Sequence, residues 1–442
     1  MRDPDGSIEF GEFKVSRKLK VSLPTEHFLT SPLAQKWVRA GRLVPFQQID
    51  PTLLEAQRLP FVTYPFEWCD SQLFDAGELT LALQAEAVEA GFDLKDASAW
   101  NIIFDGQRPV FCDLLSFERL AHQTWWAASQ LTRHFVLPLL LARKQGLHGF
   151  QSFQMWRDGA PPALCAAMLG RRRYFGRYWP LMANGGSAMP ASLREKKTPD
   201  LVSVQRFRSS LQATLGWMLS GVQPRPPRPN HAAGTWLGYA DDRQHYPADS
   251  LDRKRATVEQ WLTALQPSWV LDLGCNEGEF SQLALKSGAQ VIAVDGDHDC
   301  IERLHQRHTG ESGLYTVVAT IDDLCGGRGW AGAEFVGLGE RLHQRADLVM
   351  MLALVHHLAI GASVPIAAVA ALAAHCTRRH VVVEWIAQDD PQMLALCEQR
   401  RREPSEFSIS AQKQAFIDAG FSCVATVDLL PARRHLALLQ CD

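Results

Sequence analysis

This chain of 442 residues has no Cys-x-x-Cys pair, although it carries ten cysteines. Cysteines scattered singly argue against a disulfide framework or a thiolate zinc site and for reduced thiols in a cytoplasmic protein. Long hydrophobic runs are also missing. The longest, Phe135 to Ala142, is interrupted by Pro138 and is far too short to span a bilayer. Neither sign of charge dominates: 45 Lys and Arg stand against 48 Asp and Glu, a formal net charge of -3 at pH 7. No global basic field therefore argues for nucleic acid as a partner. Met1 to Gly6 is polar and unlike a secretory signal. Residues 1–60 hold no glycine-rich phosphate loop, because Gly6 and Gly11 are too sparse and too separated.

What is present can build more than one core. Hydrophobic residues make up 46% and charged residues 21%, and the length predicts two or three domains. The clearest boundary is Pro224-Arg225-Pro226-Pro227-Arg228-Pro229-Asn230, where four prolines in six positions forbid a continuing helix or strand. The expected division is a module over 1–220, a Pro-rich linker and aromatic segment over 221–249, and a second domain over 250–442.

The most informative stretch is Trp269 to Phe280. An apolar run, Trp269 to Leu273, breaks at Gly274, and a helical pattern begins near Glu277 with Phe280, Leu283 and Leu285 apolar. This predicts a buried strand, a tight turn and a helix, the opening unit of an α/β sheet. Such a turn brings a nucleotide-like ligand close to bare backbone at a helix N-terminus. A second strand, Gln290 to Val294, ends in Asp295. That carboxylate lies about 20 residues past the turn, the spacing at which an acid in this architecture reaches ribose hydroxyls.

These residues resemble the cofactor motif of class I S-adenosylmethionine-dependent methyltransferases, D-x-G-x-G-x-G, which runs here as Asp272, Gly274, Asn276, Gly278. Asn276 replaces the middle glycine, and Asn tolerates a left-handed backbone. The nicotinamide fingerprint G-x-G-x-x-G fits worse, since neither residue 276 nor residue 279 is glycine. Further strands follow at Tyr315–Ala319, Ala346–Leu354 and His380–Ile386, then Phe421–Val427 and His435–Gln440 as a terminal hairpin. Five α/β units closed by a hairpin match this class in order as well as in motif. The fold class expected is α/β: a Rossmann-like methyltransferase sheet of parallel strands with a terminal antiparallel hairpin, preceded by an α+β module rich in helices.

The resemblance implies S-adenosylmethionine as cofactor. The backbone at Gly274–Gly278 would take its methionine portion, Asp295 its ribose and Asp322, after the third strand, its adenine. His356 and His357 stand where the fourth strand ends, the position that faces the methyl group in this class, and an imidazole is suited to serve as base. Glu384, near the end of the fifth strand, borders the acceptor side. Trp236, Tyr239 and Tyr246, just before the core, resemble a lid over the cofactor or an acceptor pocket; packing on the sheet is the alternative. The acceptor is unidentified, a small molecule or carrier-bound intermediate before a nucleic acid, with no membrane involved and no metal.

The N-terminal half holds a second pattern. Asp96 is followed five residues later by Asn101, then by a short hairpin and Asp113. This resembles the catalytic segment of kinases and aminoglycoside-phosphotransferase-like proteins, in which the first Asp orients the attacking hydroxyl and the other two residues hold magnesium. Leu94 stands where the usual His would be, and Leu114 follows Asp113 instead of an aromatic or glycine. A degenerate kinase-like module for substrate recruitment or regulation is therefore expected, with phosphotransfer through Asp96, Asn101 and Asp113 as the alternative. The two halves together resemble a two-part family that includes nodulation-associated methyltransferase-like proteins, on the phrases Leu94 to Asn101 and Leu354 to Ile360. Aromatic residues from Trp125 to Trp179 read as core.

Overall fold

The computed structural model describes residues 5–171, 176–182, 200–228, 236–238 and 247–441. The chain separates into two compact units, residues 1–226 and 227–442, and the division falls inside the proline run.

The N-terminal unit opens with β1 (Gly6–Phe10), β2 (Lys14–Leu19), β3 (Phe46–Asp50) and β4 (Leu53–Gln57) in an antiparallel sheet ordered β1-β2-β4-β3. The Pro32–Arg39 helix lies between β2 and β3 and starts where the Ser31 side chain accepts from the Ala34 N–H, with Pro at the first helical position. The Asp70–Glu89 helix then leads to β5 (Phe92–Leu94), the hairpin of β6 (Ile102–Asp105) and β7 (Arg108–Phe111), and β8 (Phe117–Arg119), which pairs with β5. A late helix, Leu201–Ser220, packs on the Asp70–Glu89 helix. It buries Arg208, whose guanidinium meets Asp93 at 2.6 Å and also donates to the His122 and Thr124 carbonyls. A cation taken from water is tolerated there because it is paired and hydrogen-bonded. The aromatic residues only partly follow the expectation of a core role. Trp125 and Phe135 are buried, but Trp126 and Trp179 are exposed; Tyr174 and Phe175 lie outside the described residues.

The C-terminal unit is built on a seven-stranded sheet: β9 (Trp269–Leu273), β10 (Gln290–Asp295), β11 (Leu314–Val318), β12 (Ala346–Met351), β13 (Thr377–Ile386), β14 (Phe421–Asp428) and β15 (Arg434–Cys441). The order is β11-β10-β9-β12-β13-β15-β14. The first five strands are parallel and β15 runs antiparallel between β13 and β14. The near-continuous apolar runs of β9 to β12 follow from this, because a parallel strand covered on both faces has no wet side. The strand order reverses at β9, with β10 on one side and β12 on the other. A ligand crevice in an open α/β sheet forms at such a point, beyond the carboxyl ends of the strands.

Two boundaries differ from the sequence reading in ways that shape the site. The fourth strand, expected to reach Leu354, ends at Met351. Ala353 then turns with φ of +54°, so Leu354 to His357 leave the sheet. A helix at Pro391–Arg400, absent from the sequence reading, follows β13. Asp390 caps it by accepting from the Gln392 and Met393 N–H groups, with Pro at the first position.

Candidate active site

The turn after β9 is shaped by three left-handed residues. Gly274, Asn276 and Gly278 have φ of +73°, +51° and +80°. At Gly274 a Cβ would stand 3.1 Å from Leu354, on the wall of the crevice. At Gly278 it would come within 2.4 Å of Leu304 in the His298–Arg307 helix, so that glycine serves helix packing and does not line the crevice. Asn276 does more than tolerate the turn. Its Nδ2 donates to the Trp236 carbonyl at 3.0 Å and its Oδ1 accepts from the Glu277 N–H at 2.8 Å.

The crevice has a volume of about 970 Å³. Of the residues expected at a cofactor, Asp272, Gly274, Asn276, Asp295 and Asp322 line it. Asp295 Oδ2 accepts from the Asn276 N–H at 2.7 Å, and Oδ1 from the Asp297 N–H at 2.8 Å. The carboxylate at the end of β10 is thus fixed against the glycine turn. Burial pushes it up to about 6 even though these amides favour the ionised form. Asp272 accepts from Ser281 Oγ at 2.6 Å and is also pushed by burial up to about 6.

The histidine pair lies in the helical turn after β12, where successive side chains point about 100° apart. His357 lines the crevice, whereas His356 is buried behind it, its Nδ1 without a hydrogen-bond partner among the described residues. The two rings lie 4.0 Å apart, and the Trp236 ring meets the His357 ring edge-on at 4.7 Å. Burial, and then the charge of Arg434, push His357 down to about 4. Burial, then the neighbouring His357 and Arg434, hold His356 well below the usual imidazole value. Both rings are therefore neutral at pH 7. Only His357 faces the crevice.

Trp236 is held across the crevice by its own backbone. Its N–H donates to Asp297 Oδ2 at 2.5 Å, and the Gly238 N–H donates to Glu277 Oε1 at 2.9 Å. Glu277 is in turn clamped by Arg303 and Arg307. Tyr239 and Tyr246 lie outside the described residues.

Glu384 requires a correction. It was expected to border the acceptor, but it is fully buried and does not line the crevice. Lys254 Nζ meets its Oε2 at 2.5 Å, and Arg434 Nη1 meets its Oε1 at 3.4 Å. Burial alone would raise the Glu384 pKa, but the two cations overcome it and hold the carboxyl below its ordinary value. Its work is to anchor Lys254 and Arg434, both of which do line the crevice. Sequence reasoning missed these two residues and Asp297, since none belongs to the motif. Position was the one signal available: Asp297 follows Asp295 by two, and Arg434 opens the last strand.

In the N-terminal unit the structure brings Asp96, Asn101 and Asp113 together. Asn101 Nδ2 donates to the Asp96 carbonyl at 3.1 Å and to Ser116 Oγ at 3.4 Å. Ser116 Oγ donates to Asp113 Oδ2 at 2.6 Å. Burial, and then the charge of Asp113, raise Asp96. The other Asp113 oxygen is taken by Arg17 Nη1 from β2, at 2.9 Å.

The model of a family described as a methyltransferase domain matches residues 239–426. The chain is similar to the nodulation protein NoeA of Rhizobium meliloti (strain 1021), 28% identical over 414 residues, which cover 88% of this chain and 84% of that protein. Among solved structures it is similar to a magnesium protoporphyrin IX methyltransferase of Synechocystis PCC 6803 with bound S-adenosylmethionine, at 15% identity and a TM-score of 0.33, covering 46% of this chain and 91% of that one. It is also similar to the N-methyltransferase NodS of Bradyrhizobium japonicum WM9, at 14% identity and a TM-score of 0.32, covering 46% and 98%. The family match covers β9 to β13 and most of β14, including the glycine turn, the acidic strand end and the point where the strand order reverses. The C-terminal unit is a class I S-adenosylmethionine-dependent methyltransferase domain.

Proposed function

We propose that this crevice moves a methyl group to an acceptor seated beyond β12, with His357 as the base, and that the N-terminal unit recruits the acceptor or regulates access without phosphotransfer. The observation that carries the reading is the division of one crevice between the Gly274–Asn276 turn with Asp295 on one side and a neutral, inward-facing His357 on the other.

The residues present fit the cofactor. The space that a Cβ at Gly274 would fill is left open beside the Leu354 wall, and a carboxylate waits at the end of β10. Gly274 to Glu277 would hold the methionine portion, Asp295 the ribose hydroxyls and Asp322 the adenine. When bound, the cofactor supplies a methyl group on a sulfonium, so the acceptor's lone pair takes that carbon as the carbon–sulfur bond breaks and a neutral thioether remains. His357 accepts the acceptor's proton at its ring nitrogen. The Trp236 ring, packed edge-to-face against His357, limits how the imidazole turns. Orientation of donor and acceptor supplies the rest of the rate, since the methyl group is already activated.

The N-terminal reading rests on Arg17. A magnesium ion held between Asn101 and Asp113 needs the carboxylate's free lone pairs, and here one oxygen is paired with a guanidinium and the other with Ser116. A cytoplasmic site of action accords with the free thiols of all ten cysteines. Among the described residues no helix is long and apolar enough to cross a membrane.

The test is transfer of labelled methyl from S-adenosylmethionine into a metabolite extract of the cells that make the protein. His357→Gln should lower the rate by about 10²–10⁴-fold while S-adenosylhomocysteine binds as before. Full activity in His357→Gln would remove it from the mechanism.

A further inference from the structure

The crevice is divided by charge as well as by role. Asp272, Asp295, Asp297 and Asp322 lie on β9 or at the carboxyl ends of β10 and β11, over the half assigned to the cofactor. Arg255 and Arg307 also line the crevice but are paired with Glu279 and Glu277; of the other three basic residues, Lys254 and Arg434 meet where β13 finishes and β15 begins, and Arg400 ends the helix that follows β13. Two of these three are neutralised. Glu384 pairs with Lys254 and Arg434, and Asp390 takes a further Arg434 contact at 3.3 Å.

Arg400 is different. It lines the crevice from the last turn of the Pro391–Arg400 helix, and among the described residues its guanidinium meets no carboxylate. Gln399 also lines the crevice, and its amide meets no hydrogen-bonding partner among those residues. A cation near a helix C-terminus is favoured whichever way its side chain points; this one points into the crevice. One turn earlier on the same face is Leu396, which lines the crevice as Leu358 does beside His357. The wall opposite the cofactor half therefore presents an apolar strip that ends in a guanidinium and an amide, neither paired among the described residues.

We propose that the methyl acceptor carries an anionic group, a carboxylate or a phosphate, bound by Arg400 and Gln399 while its apolar body lies on Leu396 and Leu358. This rests on the reading that places the acceptor on the His357 side. A guanidinium matches either anion by two parallel N–H donors, and it is most useful where no resident carboxylate competes for them. The Pro391–Arg400 helix is then the specificity element of the domain, carrying the group that selects the acceptor while the turn after β12 carries the group that takes its proton.

The experiment uses the full chain saturated with S-adenosylhomocysteine and titrated with octanoate, octyl phosphate and octanamide, three probes that share an apolar body. In the wild type at least one anion should bind about tenfold or more tighter than the neutral amide, and the tighter anion identifies the class. Arg400→Glu should abolish that preference, and Arg400→Ala should reduce it, with affinity for S-adenosylhomocysteine unchanged in both. The proposal is overturned by equal binding of the three probes, by binding of none, or by a preference that survives Arg400→Glu. It is overturned too if either variant weakens S-adenosylhomocysteine, which would place Arg400 on the cofactor's own carboxylate. A wild type that ignores S-adenosylhomocysteine removes the methyltransferase reading and this proposal with it. A wild type that binds it but shows no anion preference removes this proposal alone.

Discussion

At the scale of single residues, the glycine motif shows what a sequence pattern can and cannot say. The turn at Gly274, Asn276 and Gly278 was legible, and so was the tolerance of Asn276 for a left-handed backbone. What Asn276 adds was not legible, since its bond to the Trp236 carbonyl depends on a segment 40 residues away. Asn276→Gly should keep the turn and most of the affinity for S-adenosylhomocysteine while loosening Trp236, seen as a shift of tryptophan fluorescence. Unchanged fluorescence would detach the turn from Trp236. Gly278→Ala should cost about 1–3 kcal/mol in urea unfolding, since a left-handed backbone and Leu304 both resist a Cβ. Loss below about 0.5 kcal/mol would mean that the Leu304 side chain moves aside freely. The pairing His356-His357 was readable, yet only the shortened β12 and the turn at Ala353 decide which ring faces the crevice.

At the scale of elements, the parallel strands were the easiest to read, since strands covered on both faces run apolar without a break. The Pro391–Arg400 helix was missed even though Asp390-Pro391 is an ordinary start signal. Its apolar residues, Met393, Leu394, Ala395, Leu396 and Cys397, form one unbroken run that lacks helical spacing. Glu384 was misread for a related reason: a carboxylate at a strand end points to a ligand in sequence, whereas here two buried cations claim it. That arrangement makes an asymmetric prediction. Glu384→Gln leaves Lys254 and Arg434 buried without their shared counter-charge and should cost about 3–5 kcal/mol. Lys254→Met leaves Glu384 still paired with Arg434 and should cost clearly less. Chemical denaturation of both variants checks the order, and equal losses would show that the two cations do not share Glu384 as described.

At the scale of the whole molecule, the two compact units meet in the sequence at residues 226 and 227, inside the proline run. The sequence also announced a methyltransferase domain in the second half. Composition gave no guide to the crevice's charge, because a net of -3 over the chain says nothing of acids over β10 and an open cation beyond β13. The buried acids give the domain a pH signature. Asp272 and Asp295 are both raised to about 6, above the ordinary carboxyl value of 3.8, so the folded chain binds more protons than the unfolded chain between those limits. Stability should therefore fall as pH rises from about 4 to about 6, by on the order of 2 kcal/mol for each acid if they act independently. Affinity for S-adenosylhomocysteine should rise over the same interval, as Asp295 gains the charge that accepts from the ribose. Thermal unfolding and binding followed from pH 4 to pH 8 test the opposed slopes; parallel slopes would contradict the role given to Asp295. The N-terminal unit should bind no ATP with magnesium while Arg17 holds Asp113, and calorimetric heat from ATP would reopen phosphotransfer.

The most direct measurement of the central claim is a calorimetric titration of the full chain with S-adenosylhomocysteine at pH 7.5, alongside Asp295→Ala. The account predicts one site per chain in the wild type and affinity weakened by about 100-fold or more in Asp295→Ala, the scale of losing charge-assisted hydrogen bonds to both ribose hydroxyls. A folded wild type that releases no heat, or an Asp295→Ala variant that binds as tightly as the wild type, would contradict it.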